Sequence, residues 1–228
     1  MENTEIITPK NLLIRSNIQP LLDINFPHDR LLYREYLKRS FYSKTGKKFF
    51  EFFLLILIAF PAIALIILLF FLLVIPNKGR VFFRQKRMGL NGRWFTIYKF
   101  RTLTGPIEVN TEKDMEVIKK NSLFMGVFLR KTGLDEILQI LNVIRGEMNL
   151  IGPRPLPLKD IEQLSGSQFI IRHLVKPGIC GLWQIRRKYF NDIGSLRYDE
   201  FYLKKQSLLI DSYIVFYSLV YMIKGKGR

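Results

Sequence analysis

The sequence predicts an α/β, mainly helical domain held at a membrane by a re-entrant helix–break–helix hairpin and amphipathic interfacial helices. Three observations predict it. Phe52 to Ile75 is an uncharged run of 24 residues. A strand–turn–strand pattern follows, centred on Asn91-Gly92. Apolar residues then recur at helical spacing after the acidic pair Asp135-Glu136, and again toward the C-terminus.

Composition sets the outer bounds. The 228 residues suit one ordinary domain with appendages, or two very small ones. Cys180 is the one cysteine and there are two histidines, which excludes an internal disulfide and a Cys/His metal cluster. Lysine and arginine number 36 against 19 acidic residues, a formal charge of +17. That excess implies an anionic partner: nucleic acid, acidic lipid or a phosphorylated substrate.

Residues 1–46 form a basic N-terminal extension. Asp29 is placed to cap a short helix in "DRLLYREYLKRSF", with Leu31, Leu32, Tyr36 and Leu37 broadly on one side. Such a helix suits a membrane surface, and a solvated structural helix equally. Residues 47–78 hold the apolar run. As a straight helix, Phe52–Ile75 would be ~36 Å long, enough for a ~30 Å hydrocarbon core. A single spanning helix is therefore one reading. The re-entrant reading rests on two features. Pro61 removes a backbone donor and clashes with the preceding turn, leaving halves too short to cross alone. Both flanks are also basic, with Lys44, Lys47 and Lys48 before, and Lys78, Arg80, Arg84, Lys86 and Arg87 after, so both prefer the cytoplasmic side.

Residues 79–228 are the expected cytosolic catalytic domain. Gly89-Leu90-Asn91-Gly92 reads as a hairpin turn. On the second strand Phe95, Ile97, Lys99 and Arg101 share one face, and Trp94, Tyr98 and Phe100 the other. Arg80, Arg84, Lys86 and Arg87 read as partners of lipid headgroups. After Asp135 the spacing puts Leu134, Leu138, Leu141 and Val143/Ile144 on an inward helical face. Leu158 to Val175 suggests a helix interrupted near Gly166. Another starts at Ser195, its apolar run Tyr213–Ile223 lying on the bilayer or in a core. Cys180 reads as a small buried hydrophobe, Trp183 as a packing aromatic and Asp199 as a helix ion-pair partner. Asp211, set among apolar residues, is harder to explain structurally.

The acidic pair has a purely structural reading: Thr132-Gly133-Leu134-Asp135 fits a capping box, with Thr132 at the N-cap. Its surroundings point further. Adjacent helical residues project about 100° apart, so the two carboxylates cannot share one proton and suit separate jobs, one as nucleophile and one on a divalent cation. Arg130 lies five residues upstream, and Arg154 is restricted between Pro153 and Pro155. Anionic nucleophile, metal ligand and guanidinium clamps together read as phosphoryl transfer.

Five ordered stretches carry a family resemblance: "KKFFE", "GRVFFRQKRMGLNGRWFTIYKFRT", "LRKTGLDEILQILNVIRGEMNLIGPRP", "KPGICGLWQI" and "YDEFYLKKQSLLIDSYI". The chain resembles the bacterial sugar transferases of the monotopic polyprenyl-phosphate phosphoglycosyl transferase type. The resemblance implies transfer of a phosphosugar from a nucleotide (UDP) sugar to polyprenyl (undecaprenyl) phosphate, through a phosphosugar intermediate on Asp135. It implies that Glu136 helps bind Mg²⁺, and that Lys99, Arg130, Arg154 and Asp211 match polar active-site positions. Arg101 is added from its strand face. It also implies a hairpin turning at a proline, matched by Pro61, and a place on the cytoplasmic face of the bacterial inner membrane. The expected partners are nucleotide sugar, polyprenyl phosphate, membrane lipid and a second copy in a homodimer, with no nucleic acid. Four departures stand out: Glu51 for the usual Asp, Leu138 for a proline, "GEMN" for Gly-Asp-Met-Ser, and "KKNSLFMG" for an Asp-x-Arg-x-Thr stretch. The alternative is a catalytically inactive, membrane-anchored partner of the same fold. A nucleic-acid-binding module would leave the apolar run and the acidic pair without a role.

Overall fold

The computed structural model describes residues 42–104, 119–161, 164, 172–186 and 196–225. The helix expected after Asp29 lies outside these residues, as does most of the expected interruption near Gly166. A π-turn at Tyr42–Gly46 leads into helix α1, Lys47–Val74. The expected break at Pro61 is not seen: α1 runs through it as one 28-residue helix. Proline removes one hydrogen bond from a helix interior but need not end it when the flanking turns are strongly helical. α1 belongs to the one stretch among the described residues that is long and apolar enough to cross a membrane. Only 11% of its most apolar window is buried, so it is not the core helix of a soluble fold.

Strands β1 (Phe82–Met88) and β2 (Trp94–Phe100) form an antiparallel hairpin, closed by a short turn over Leu90–Gly92. Asn91 and Gly92 take left-handed φ values of 55° and 69°, which explains the Asn-Gly pair. The expected alternation holds along β2: Phe95, Ile97 and Lys99 point inward.

Helix α2 (Gly126–Thr132) ends at Gly133, whose φ of 75° reverses the chain. The capping box is thereby overturned. Thr132 closes α2, its hydroxyl donating back to the Phe128 carbonyl at 2.9 Å, and does not cap the next element. That element, Leu134–Gln139, is a 3-10 turn, followed by α3 (Ile140–Ile144). The tighter winding changes the phase of the predicted apolar face. Leu138 is buried as expected, but Leu141 and Ile144 are 40% and 66% exposed, while Asp135, Glu136, Gln139 and Asn142 turn inward. Asn142 fastens α3 to the hairpin by donating to the Thr96 carbonyl and the Glu147 carboxylate, both at 2.7 Å.

Strand β3 (Asn149–Ile151) pairs in parallel with β4 (Gly178–Cys180). Gly178 lies against the Gly152 backbone so closely that a Cβ there has no room. Short helices α4 (Leu158–Ile161) and α5 (Leu182–Arg186) precede α6 (Leu196–Lys205) and α7 (Leu208–Ile223). The single C-terminal helical pattern is thus two helices. Ser207 caps the second, accepting from the Ile210 amide at 3.4 Å. Within the apolar run of α7, Ile214 is fully buried, as a core position is, whereas Phe216 and Ile223 are largely exposed. Cys180 and Trp183 are half-buried.

The two ends of α1 enter different clusters. Phe50, Leu54 and Leu55 pack with Leu150, Leu182, Tyr202 and Ile214. Leu69 and Leu73 pack with Val81, Phe100, Leu129 and Leu138. Each fully buried leucine contributes roughly 1.5–3 kcal/mol. Between those ends, Ile56, Leu57, Phe60 and Ile63 are 56–83% exposed.

Candidate active site

Lys99 arrives on β2 as the last of the inward row Phe95–Ile97–Lys99. Glu136 arrives on the 3-10 turn, and Arg154 on the loop after β3. They meet on one oxygen: Glu136 Oε1 accepts from Lys99 Nζ at 2.7 Å and from an Arg154 guanidinium nitrogen at 3.1 Å. Lys99 and Glu136 are buried and Arg154 is partly so, which strengthens these ion pairs relative to surface ones. Asp135 is also buried, one residue before Glu136. A shallow cleft lies over the group, lined by Arg87, Ile97, Lys99, Glu136, Gln139, Arg154, Pro155 and Gly178.

Three cationic side chains thus line the cleft against one carboxylate, Glu136. Burial pulls the Arg154 pKa down, and Asp135 opposes this by favouring the charged form. A second layer fixes the arginine. Arg172 donates to the Arg154 carbonyl at 2.7 Å and forms a buried ion pair with Asp199 of α6. Burial pushes the Asp199 carboxyl up while Arg172 pulls it down. On the other side of the loop, Glu51 of α1 accepts from the Ile151 amide at 3.1 Å, three residues before Arg154.

The structure therefore brings Lys99, Glu136 and Arg154 together, with Asp135 adjacent in the chain. Arg130 sits in the last turn of α2, half-buried. Arg101 does not line the cleft. It lies beyond the end of β2, and its Nε donates to the Phe82 carbonyl at 3.4 Å on the exposed edge. Asp211 does not line it either. It is completely buried in a separate cluster, accepting from Tyr42 at 2.7 Å, Lys47 at 2.8 Å and Tyr202 at 2.8 Å. Burial and Asp211 push the Tyr202 phenol well above its ordinary pKa. Lys47 also pairs with Glu51 at 2.7 Å, so this cluster ties α1 to α6 and α7.

Arg87 is a site residue that the sequence reading sends to the headgroups. It is buried, bonded to Gln85 Oε1 at 2.6 Å, and lines the cleft. The signal was present: the hairpin register pairs Arg87 with Phe95, on the face that carries Lys99. Gln139 and Arg172 were missed as well, and Asp199, read as a helix ion-pair partner, does form an ion pair but with Arg172 from outside its helix. For Gln139 the 3-10 phase was needed, and no local pattern marks the Arg172 contact.

A cation-rich cleft beside adjacent carboxylates and a largely uncovered apolar helix suits an anionic ligand near an apolar phase. Comparison with known proteins gives this class a family. The model of the bacterial sugar transferase family matches residues 42–225. The chain is 32% identical over 204 residues to the exopolysaccharide production protein ExoY of Sinorhizobium fredii, covering 80% of this chain and 87% of that one. It is 34% identical over 167 residues to the UDP-N-acetylgalactosamine-undecaprenyl-phosphate N-acetylgalactosaminephosphotransferase of Aeromonas hydrophila. It is 36% identical over 150 residues to the UDP-glucose:undecaprenyl-phosphate glucose-1-phosphate transferase of Klebsiella pneumoniae. Those two matches cover 68% and 61% of this chain but only 38% and 32% of the relatives' own lengths. The chain belongs to the bacterial sugar transferase family.

Proposed function

We propose that this protein transfers a sugar 1-phosphate from a UDP-sugar to undecaprenyl phosphate, as an early membrane step in building a polysaccharide or glycoconjugate. The convergence of Lys99 and Arg154 on Glu136, beside Asp135, carries the reading. The Glu136 carboxylate lies between two cations that can also receive phosphate oxygens. A guanidinium engages phosphate through paired hydrogen bonds, and an ammonium acts as a point charge.

In the proposed reaction an Asp135 carboxylate oxygen attacks the sugar-linked phosphorus. The bond from that phosphorus to the bridging oxygen breaks, and uridine monophosphate leaves with the electron pair. An oxygen of undecaprenyl phosphate then attacks the same phosphorus, displacing Asp135 and forming the diphosphate-linked lipid. Two displacements replace one encounter between bulky anions. Lys99, Arg154 and Arg87 hold the diphosphate and stabilise charge on its oxygens. Asp135 and Glu136 offer the hard oxygen ligands that Mg²⁺ favours, a donor set that fits an ion sharing its coordination with substrate phosphate oxygens. Bound there, Mg²⁺ would neutralise charge on the leaving phosphate.

The membrane segment belongs to the same proposal: residues 47–78 enter the cytoplasmic leaflet as a continuous helix, without the break expected at Pro61, and keep both ends on the cytoplasmic side, with 79–228 as the cytosolic catalytic part. Packing of both ends of α1 against the globular part, with exposed apolar residues between them, supports this over a crossing helix. The basic flanks agree. Single cysteines replacing Lys44 and Lys78 in a Cys180→Ser background should label from the same side of sealed vesicles. Labelling from opposite sides would sink that topology.

The reaction is tested with detergent-solubilised protein, Mg²⁺, undecaprenyl phosphate and a panel of UDP-sugars. Uridine monophosphate should appear with a particular sugar, and Asp135→Asn should reduce release to background while the protein stays folded. Near-normal turnover in that variant would move the nucleophile elsewhere.

A further inference from the structure

The face of the hairpin opposite Lys99 carries a second cationic group. Residues paired across an antiparallel ladder project to the same side, and here the pairs are Phe82–Phe100, Arg84–Tyr98, Lys86–Thr96 and Met88–Trp94. The first pair belongs to the packed end of α1: the Phe82 ring stacks on Phe70 at 5.8 Å and on Phe100 at 6.1 Å. Two residues on, about 7 Å along the strand, the Arg84 guanidinium carbon lies 5.7 Å from the Tyr98 ring centroid. Arg145, just after α3, reaches the same ring at 5.0 Å.

Both arginines are exposed, and neither pairs with a carboxylate among the described residues. An exposed cation–π contact gives only about 0.5–1 kcal/mol, while two guanidiniums drawn to one ring repel each other. An anion held by both removes that repulsion and supplies acceptors for their donors. The neighbours indicate what kind of anion. Ile144 and Leu141, on the helix that ends beside Arg145, expose apolar surface that a free phosphate would not use and an acyl chain would. The group also sits one step along the hairpin from the aromatic stack against α1.

We propose that Arg84, Tyr98 and Arg145 form a binding site for the phosphate of an anionic phospholipid, separate from the catalytic cleft on the other face of the hairpin. The proposal rests on the reading of α1 as membrane-embedded. Its occupant is a bilayer lipid, not the lipid-linked acceptor.

The full chain is reconstituted in nanodiscs with equal phosphatidylglycerol and phosphatidylcholine, extracted gently, and its retained lipid weighed by mass spectrometry. Wild type should enrich phosphatidylglycerol about fivefold, the scale expected for basic side chains at an anionic surface. Arg84→Gln/Arg145→Gln should fall to within about twofold of the bulk ratio, and Lys86→Gln should keep the enrichment. All three should stay with the nanodiscs. An unchanged ratio in the double variant overturns the site. So does displacement of phosphatidylglycerol by stoichiometric undecaprenyl phosphate together with a raised acceptor KM in the double variant, which assigns the group to the acceptor. Release of wild type from the bilayer would instead overturn the membrane reading, and this proposal with it.

Discussion

Two buried clusters in this molecule are made of the same residue types and do opposite things. In the cleft, Glu136 faces Lys99 and Arg154 with Arg87 alongside, so cations exceed the carboxylate lining it. In the other, Asp211 and Glu51 face Lys47, and two phenols complete the hydrogen bonding of Asp211. The first group has charge to offer a ligand and an opening through which to offer it. The second is closed and has donors on both Asp211 oxygens, as a buried ion needs when its task is to hold elements together. In this molecule, neutral donors closing around a carboxylate accompany the scaffold, and cations open to a ligand accompany the candidate site.

The sharpest way to break that contrast is in the cleft. Arg154→Lys keeps the charge but removes the planar fork, and should lower kcat/KM about a hundredfold with little change in thermal unfolding. A loss of only a few fold would demote Arg154 to bulk electrostatics. In the scaffold the expected signs reverse. Asp211→Asn leaves the Lys47 charge less compensated and should cost about 3 kcal/mol of stability in detergent, while the folded fraction keeps its substrate KM. Lost substrate affinity at unchanged stability would return Asp211 to the phosphate-binding set. The smallest effect is expected at Arg101, whose side chain lies on the hairpin edge. Arg101→Gln should change kcat/KM by no more than about twofold, and a large loss would show that it enters the cleft during turnover.

The legible parts of the site were those fixed by local rules. Alternation along β2 and the Asn-Gly turn placed Lys99 on the face of Phe95 and Ile97, and the two prolines pointed to Arg154. The same alternation, carried across the hairpin, would have moved Arg87 from the headgroups to the cleft. The 3-10 winding after Gly133 was not legible. Thr132 satisfies a capping pattern that the preceding helix claims first, and the resulting phase shift exposes Leu141 and Ile144. Nor could sequence find the partners of Asp211, which lies 169 residues from Tyr42, or those of Arg172, 27 residues from Asp199. Such pairs depend on tertiary packing, for which spacing carries no signal.

One hydrogen bond links these regions. Glu51, on the apolar helix, holds the Ile151 amide just before the chain turns through Pro153, Arg154 and Pro155. With that helix seated in lipid, the bond acts as a depth gauge: the height of the Arg154 guanidinium is referred to the bilayer and not to the solvent. In the proposed reaction, an acceptor phosphate confined to the membrane surface then has a two-dimensional search to make, because its partner is already set at the right level.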